Sequence, residues 1–239
     1  MSNDLSSVKA LTFDVFGTVV DWRSSVIKEL TNLGESKGIT ADWEAFADKW
    51  RGGYAPSMDK VRKGELPWKS IDQLHRMVLD QLLDEFQITE LTEQEKVRLN
   101  KAWHRLSPWP DTVEGLTRLK EKYIIATLSN GNISLLTNMA KHSGLPWDVI
   151  LSSELARHYK NDKEVYLNAL SLLDLQPEEL MMCAAHQDDV TAAREVGLKT
   201  AYVSRPLEFG PDKPSDATSN MPYDIIADDI IDLSVKLGA

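Results

Sequence analysis

Cysteine is nearly absent from this chain: Cys183 stands alone among 239 residues. No intrachain disulfide can form, which excludes disulfide-stapled scaffolds and suits a reducing, cytoplasmic setting. Long apolar runs are missing as well. No stretch approaches the roughly 18–20 apolar residues of a membrane-spanning helix, so no membrane partner is expected. The opening residues Met1-Ser2-Asn3-Asp4 lack a basic, then apolar, leader pattern, so no secretory signal is expected. Excess positive charge is lacking too. With 27 Lys and Arg against 37 Asp and Glu, the net charge is −10, which argues against a nucleic-acid partner. An anionic small molecule stays within reach, because a few cationic side chains set the field inside a pocket. Repeats and low-complexity tracts are also absent. What remains is an ordinary globular composition, 42% hydrophobic and 27% charged. The length allows one sizeable core and a smaller satellite.

What is there falls into two textures. Val8-Lys9-Ala10-Leu11-Thr12-Phe13 reads as a buried strand that delivers Asp14 to a turn containing Gly17. From Trp22 to Arg105 the spacing is helical, as in Val26, Leu30 and Leu33, and again in Ile71, Leu74, Val78 and Leu82. From Pro108 strands and helices alternate. Strands are predicted at 123–128, 149–151, 180–185, 200–203 and 224–226. Helices are predicted through Leu135 and Met139 to a stop at Gly144, over 163–173, and over 188–196 with Gly197 beyond. The stretch from Pro206 to Pro222 reads as a surface loop. The pattern implies an α/β fold: a doubly wound, mostly parallel sheet, Rossmann-like, with an inserted helical cap domain. The core would comprise 1–21 and 106–239, and the cap 22–105.

In such sheets a ligand sits outside the carboxyl ends of the strands. Polar residues collect there: Asp14, Ser129-Asn130, Lys160 and His186-Gln187-Asp188-Asp189. Taken singly each is unremarkable: an Asp at a strand end caps a turn, Ser-Asn-Gly makes one, and a loop Lys is solvated. Their order carries more. Asp14-Val15-Phe16-Gly17-Thr18 after the first strand, Ser129 at a later strand end, Lys160, and the acidic Asp188-Asp189 after another strand resemble the four motifs of the haloacid dehalogenase superfamily. The resemblance spans nearly the whole chain, and the helical insert matches that family's cap.

The resemblance implies Asp14 as nucleophile. Phosphatase members of the family place a second Asp two residues on, to protonate the leaving group, and use Mg²⁺. Here that position is Phe16. A phenyl ring cannot donate a proton, and a departing halide needs none. The sequence therefore resembles a type II L-2-haloacid dehalogenase, with no metal and no cofactor expected. Asp14 would attack C2 of a short 2-haloacid, with haloacetates such as fluoroacetate as further candidates, and form an ester. Water would then attack the Asp14 carbonyl carbon, turning an L-2-haloacid into a D-2-hydroxy acid. Trp50-Arg51 in the cap resembles the family's Trp-Arg pair, which implies that Arg51 binds halide together with Asn130. Ser129 and Thr18 would hold the substrate carboxylate or Asp14. Lys160 would keep Asp14 ionised, and Asp189 would position or deprotonate water, with Asp188 as its alternate. Val15, Phe16, Tyr54 and Trp68 are expected around the substrate. His186 stands where the family often has Asn, able to orient water, share a proton with Asp189, donate to the halide, or only hold a helix start. Asn161 follows Lys160 where the family usually has Pro, which should free that loop. The alternatives are a Mg-dependent small-molecule phosphatase, a hydrolase of another small acid, or a non-catalytic binding member. Partnership beyond a small haloacid is limited to a homodimer by analogy.

Overall fold

The computed structural model describes residues 4–213 and 222–239, so part of the loop expected over 206–222 lies outside the described residues. Strand β1 (Ala10–Phe13) is buried along its whole length. A two-residue strand, β2 (Val20–Asp21), precedes the helical segment, which holds α1 (Trp22–Lys37), α2 (Trp43–Gly52), α3 (Tyr54–Arg62), α4 (Ile71–Glu85) and α5 (Glu93–Asn100). A 3-10 turn at Lys101–His104 leads to β3 (Ser107–Pro108), which pairs antiparallel with β2 through Val20–Pro108 and Asp21–Ser107. Two residues are too few to show a period, so this ribbon carries no signal in the sequence. It holds the start and the return of the helical segment side by side.

Beyond it come α6 (Thr112–Lys120), β4 (Ile124–Ser129), α7 (Ile133–Ser143), β5 (Val149–Ser152), α8 (Ser153–Ala156) and α9 (Lys163–Leu173). β6 (Leu180–Ala184), α10 (Gln187–Glu195), β7 (Lys199–Val203), β8 (Ile225–Ala227) and α11 (Ile230–Lys236) complete the chain. The six long-range strands form one parallel sheet in the order β5-β4-β1-β6-β7-β8. The order reverses at β1, which lies between β4 and β6, so the switch point falls beside Asp14. Gly144 ends α7 with φ 65°, a left-handed cap that glycine adopts without steric cost.

Side chains alternate between the two faces of the sheet. Leu11, Phe13, Ile125, Met181 and Cys183 enter one apolar cluster, and Ala10, Ala126, Leu128, Leu180, Met182 and Ala184 the other. The first cluster continues into the helical segment through Phe46, Trp50, Leu74 and Trp103. Sheet and helices thus share one apolar interior. Among the described residues no helix is long and apolar enough to cross a membrane.

Candidate active site

The carboxyl ends of β1, β4 and β6 meet α2 and α3 around a cavity of about 200 Å³. Asp14, Phe16, Asn130, Lys160, His186 and Asp189 line it from below, and Arg51, Tyr54 and Met58 from the helical segment. Asp14 follows β1 directly, and its N–H donates to the Cys183 carbonyl at 3.0 Å, continuing the strand pairing past the last apolar residue. The carboxylate is only 6% exposed. Its Oδ1 accepts from Lys160 Nζ at 2.9 Å. Its Oδ2 accepts from Thr18 Oγ1 at 2.8 Å and lies 3.1 Å from His186 Nδ1. Burial pushes the Asp14 pKa up, but the Lys160 ammonium and the His186 ring outweigh it and hold the carboxyl well below its usual range. Asp14 is an anion at any ordinary pH.

Lys160 is buried, and its ammonium donates to Asp14 Oδ1, to the Leu128 carbonyl at 2.8 Å and to Asp189 Oδ2 at 2.5 Å. Burial disfavours its charge, yet Asp14 and Asp189 raise its pKa above the ordinary lysine value. Asp189 receives a second donor, Tyr166 OH, at 2.6 Å on Oδ1. Burial, with the like charge of Asp14 adding to it, raises the Asp189 pKa. Thr18 is aligned from both sides, since its hydroxyl accepts from Ala185 N at 2.9 Å while donating to Asp14. Its carbonyl takes Arg205 Nε at 2.8 Å, and Arg205 is in turn clamped by Asp111 through two bonds of 2.8 and 2.7 Å.

His186 is the N-cap residue of α10 and bridges two carboxylates. Nδ1 faces Asp14, and Nε2 lies 3.0 Å from both oxygens of Glu208. Burial works against its charge, but Asp14 and Glu208 raise its pKa well above the usual histidine range. When protonated, the ring is placed to donate from both nitrogens, one to each carboxylate. Glu208 is 2% exposed, and Trp22 Nε1 also donates to it at 3.2 Å. Gly17 makes room for it: its φ is 89°, and a Cβ there would collide with the Glu208 carboxylate.

Arg51 sits in the last turn of α2, a helix capped by Asp42 accepting from Ala45 N at 2.9 Å. Its neighbour Trp50 is wholly buried and donates to the His75 carbonyl at 2.9 Å, which fixes the helix rotation. The guanidinium lies 4.5 Å from the Tyr54 ring centroid, and its Nε is buried with no acceptor among the described residues. Asn130 Oδ1 accepts from Lys160 N at 2.7 Å, which fixes the amide so that its NH₂ faces the cavity beside the Tyr54 hydroxyl, with which it hydrogen-bonds. Phe16 lies edge-on to Trp103, with centroids 6.0 Å apart.

Three expected site residues lie elsewhere. Trp68 stacks on Tyr159 at 4.6 Å and lines a neighbouring groove, because the Tyr159 face offers it an aromatic partner. Val15 is turned into the apolar cluster, and its carbonyl accepts from Val19 N and Val20 N at 3.0 and 3.2 Å. Ser129 is fully buried and accepts from Gly131 N at 3.2 Å, shaping the turn after β4. Asp188 accepts from Asn161 Nδ2 at 2.9 Å, so the loop that lacks a proline is tied by side chains instead. Asp188 also caps Asp189 N at 3.0 Å. Sequence reasoning missed Glu208, Tyr166 and Arg62, whose Nη2 donates to the Lys160 carbonyl at 2.6 Å. The unusual His186 is the one local sign that a buried acid is needed nearby.

The chain matches the family model for haloacid dehalogenase-like hydrolases over residues 8–197. It is 30% identical to (S)-2-haloacid dehalogenase 4A of Burkholderia cepacia over 217 residues, covering 84% of this chain and 85% of that one. The crystal structure of the L-2-haloacid dehalogenase PA0810 superposes with TM-score 0.94 at 48% identity, covering 97% of this chain and 99% of that one. That of the defluorinating L-2-haloacid dehalogenase Rha0230 gives TM-score 0.94 at 46% identity, covering 97% and 96%.

Proposed function

Because the chain belongs to the haloacid dehalogenase-like hydrolases, we propose that it hydrolyses the carbon–halogen bond of short L-2-haloacids through an ester on Asp14. The observation that carries this reading is the pairing across the cavity of an ionised Asp14 with the buried Nε of Arg51, which has no acceptor among the described residues. One is a nucleophile and the other an anion receptor. Asp14 Oδ2 already accepts from Thr18 and faces His186, whereas Oδ1 accepts, among the described residues, from Lys160 alone. A carboxylate oxygen offers two lone-pair directions, so Oδ1 retains one for the substrate. Oδ1 attacks C2 in line, and the C2–halogen electron pair leaves with the halide toward Arg51 and the Asn130 NH₂. Phe16 and Tyr54 supply a wall of low dielectric that strengthens these charges.

Water then adds to Cγ of Asp14. Asp189 lines the cavity, and burial leaves it a better base than an ordinary carboxylate, so it takes the water proton and passes it to the departing alkoxide. Lys160, locked between Asp14 and Asp189, orients both without a free N–H for the substrate. The configuration at C2 inverts once, so an L-2-haloacid gives the D-2-hydroxy acid. Halide release from chloroacetate, fluoroacetate and both enantiomers of 2-chloropropionate tests the reaction. A single turnover in ¹⁸O water tests the route: the label should appear on Asp14, and label found only in the product would refute the ester.

A further inference from the structure

We infer that Glu208 is a positioning residue that holds His186 as a cation against Asp14 Oδ2, so that His186 and Thr18 together form the oxyanion pocket in which the Asp14 ester is hydrolysed. The inference rests on the ester reading above and adds the device for its second half. If Oδ1 carries the substrate carbon, Oδ2 becomes the ester carbonyl oxygen, and its two neighbours are already in place: Thr18 Oγ1 at 2.8 Å and His186 Nδ1 at 3.1 Å. Water oxygen bonds to Cγ, and the carbonyl π pair moves onto Oδ2, where both donors meet it. The Cγ–Oδ1 bond then breaks, its pair going to the hydroxy-acid oxygen. One water proton ends on that oxygen, by way of Asp189. The other leaves for solvent as Asp14 returns to a carboxylate.

Glu208 has a specific part in this. Once Asp14 is esterified its charge is gone, and a lone imidazolium in a buried site would lose its proton. Glu208, at 3.0 Å from Nε2 and itself 2% exposed, is the anion that remains. Its placement is built: Trp22 Nε1 donates to it, and Gly17 lacks the Cβ that would displace it. Charged groups around His186 are Asp14 at the end of β1, Glu208 in the segment after β7, Lys160 on the far oxygen of Asp14, and Asp188 and Asp189 on its own helix. The alternative assignment of the same pair is a neutral His186 that deprotonates water. The two differ in sign with pH.

The test is single-turnover kinetics with 2-chloropropionate, following halide release, the intact-mass adduct on the protein and its decay, in wild type, Glu208→Gln and His186→Asn. We expect a stoichiometric halide burst in all three, and an adduct that persists roughly a hundredfold longer in the variants, the usual effect of losing one oxyanion donor. In wild type the decay rate should fall as pH rises through the His186 titration, and Glu208→Gln should move that fall to lower pH. Adduct decay that rises with pH along a limb moved by Glu208→Gln would overturn the inference in favour of a base. Unchanged decay in both variants would overturn it outright. Wild-type adduct decay that shows no fall with rising pH would overturn the inference without any variant, so misfolding of Glu208→Gln cannot shelter the claim. Absence of any adduct in wild type would instead strike down the ester reading, and this inference with it.

Discussion

Asp14, Lys160 and Asp189 form a buried row of alternating charge, and its order decides what each group can do. The central ammonium gives hydrogens to both acids and to Leu128, so Asp14 stays ionised while Asp189 titrates higher. Asp14→Asn is nearly isosteric and leaves Lys160 its bonds to Asp189 and Leu128. It should abolish halide release while circular dichroism stays that of the wild type; any remaining steady turnover would remove Asp14 as nucleophile. Phe16 bears on the metal question. It occupies the place where a phosphatase needs its acid, and it packs against Trp103, so the position is apolar by construction. EDTA should therefore leave dehalogenation unchanged, and a loss restored by Mg²⁺ would favour the phosphatase alternative.

At the scale of elements, the turn after β1 and the helix α4 each carry a constraint with a measurable outcome. Gly17→Ala places a methyl group in a left-handed backbone and into the Glu208 carboxylate. It should cost about 1 kcal/mol or more of stability and slow the decay of the Asp14 ester, as Glu208→Gln does; normal decay would mean that Glu208 can step aside. On α4, burial lowers the pKa of His75 to about 3, and its Nδ1 has no partner among the described residues. The folded protein keeps this ring neutral, whereas the unfolded chain protonates it below its ordinary value of about 6.5. The unfolded state then binds the extra proton, so wild-type stability should fall as pH drops from about 6.5 toward 3. His75→Phe keeps the stack on Trp103, 4.3 Å away, and removes the titration. Urea midpoints should show the variant gaining on wild type as pH falls through that window; a constant difference would rule out His75 as the cause.

For the whole molecule, one apolar cluster runs from Leu11 and Met181 in the sheet to Phe46 and Trp103 in the helical segment. Calorimetry should accordingly give a single unfolding transition, and two resolved ones would show that the helices melt alone. The sheet was legible because both faces are covered: strands such as 180–184 read as unbroken apolar runs, and any polar residue beyond their ends stands out. Asp14, Asn130, Lys160 and His186 were found that way. Glu208, Tyr166 and Arg62 were not, since each meets its partner across 22 to 98 residues of chain and looks locally like an ordinary loop or helix position. Trp68 and Val15 misled for the converse reason, as aromatic and apolar residues near a motif find partners outside the cavity. The ribbon of Val20–Pro108 and Asp21–Ser107 has a topological consequence. It brings the backbone back to where it departed, so the sheet's winding is closed before and after whatever is threaded between. Another helical roof, with its own greasy underside, could be grafted at those two seams to reshape what the cavity admits, provided it brought a counterpart of Arg62 to brace the Lys160 carbonyl.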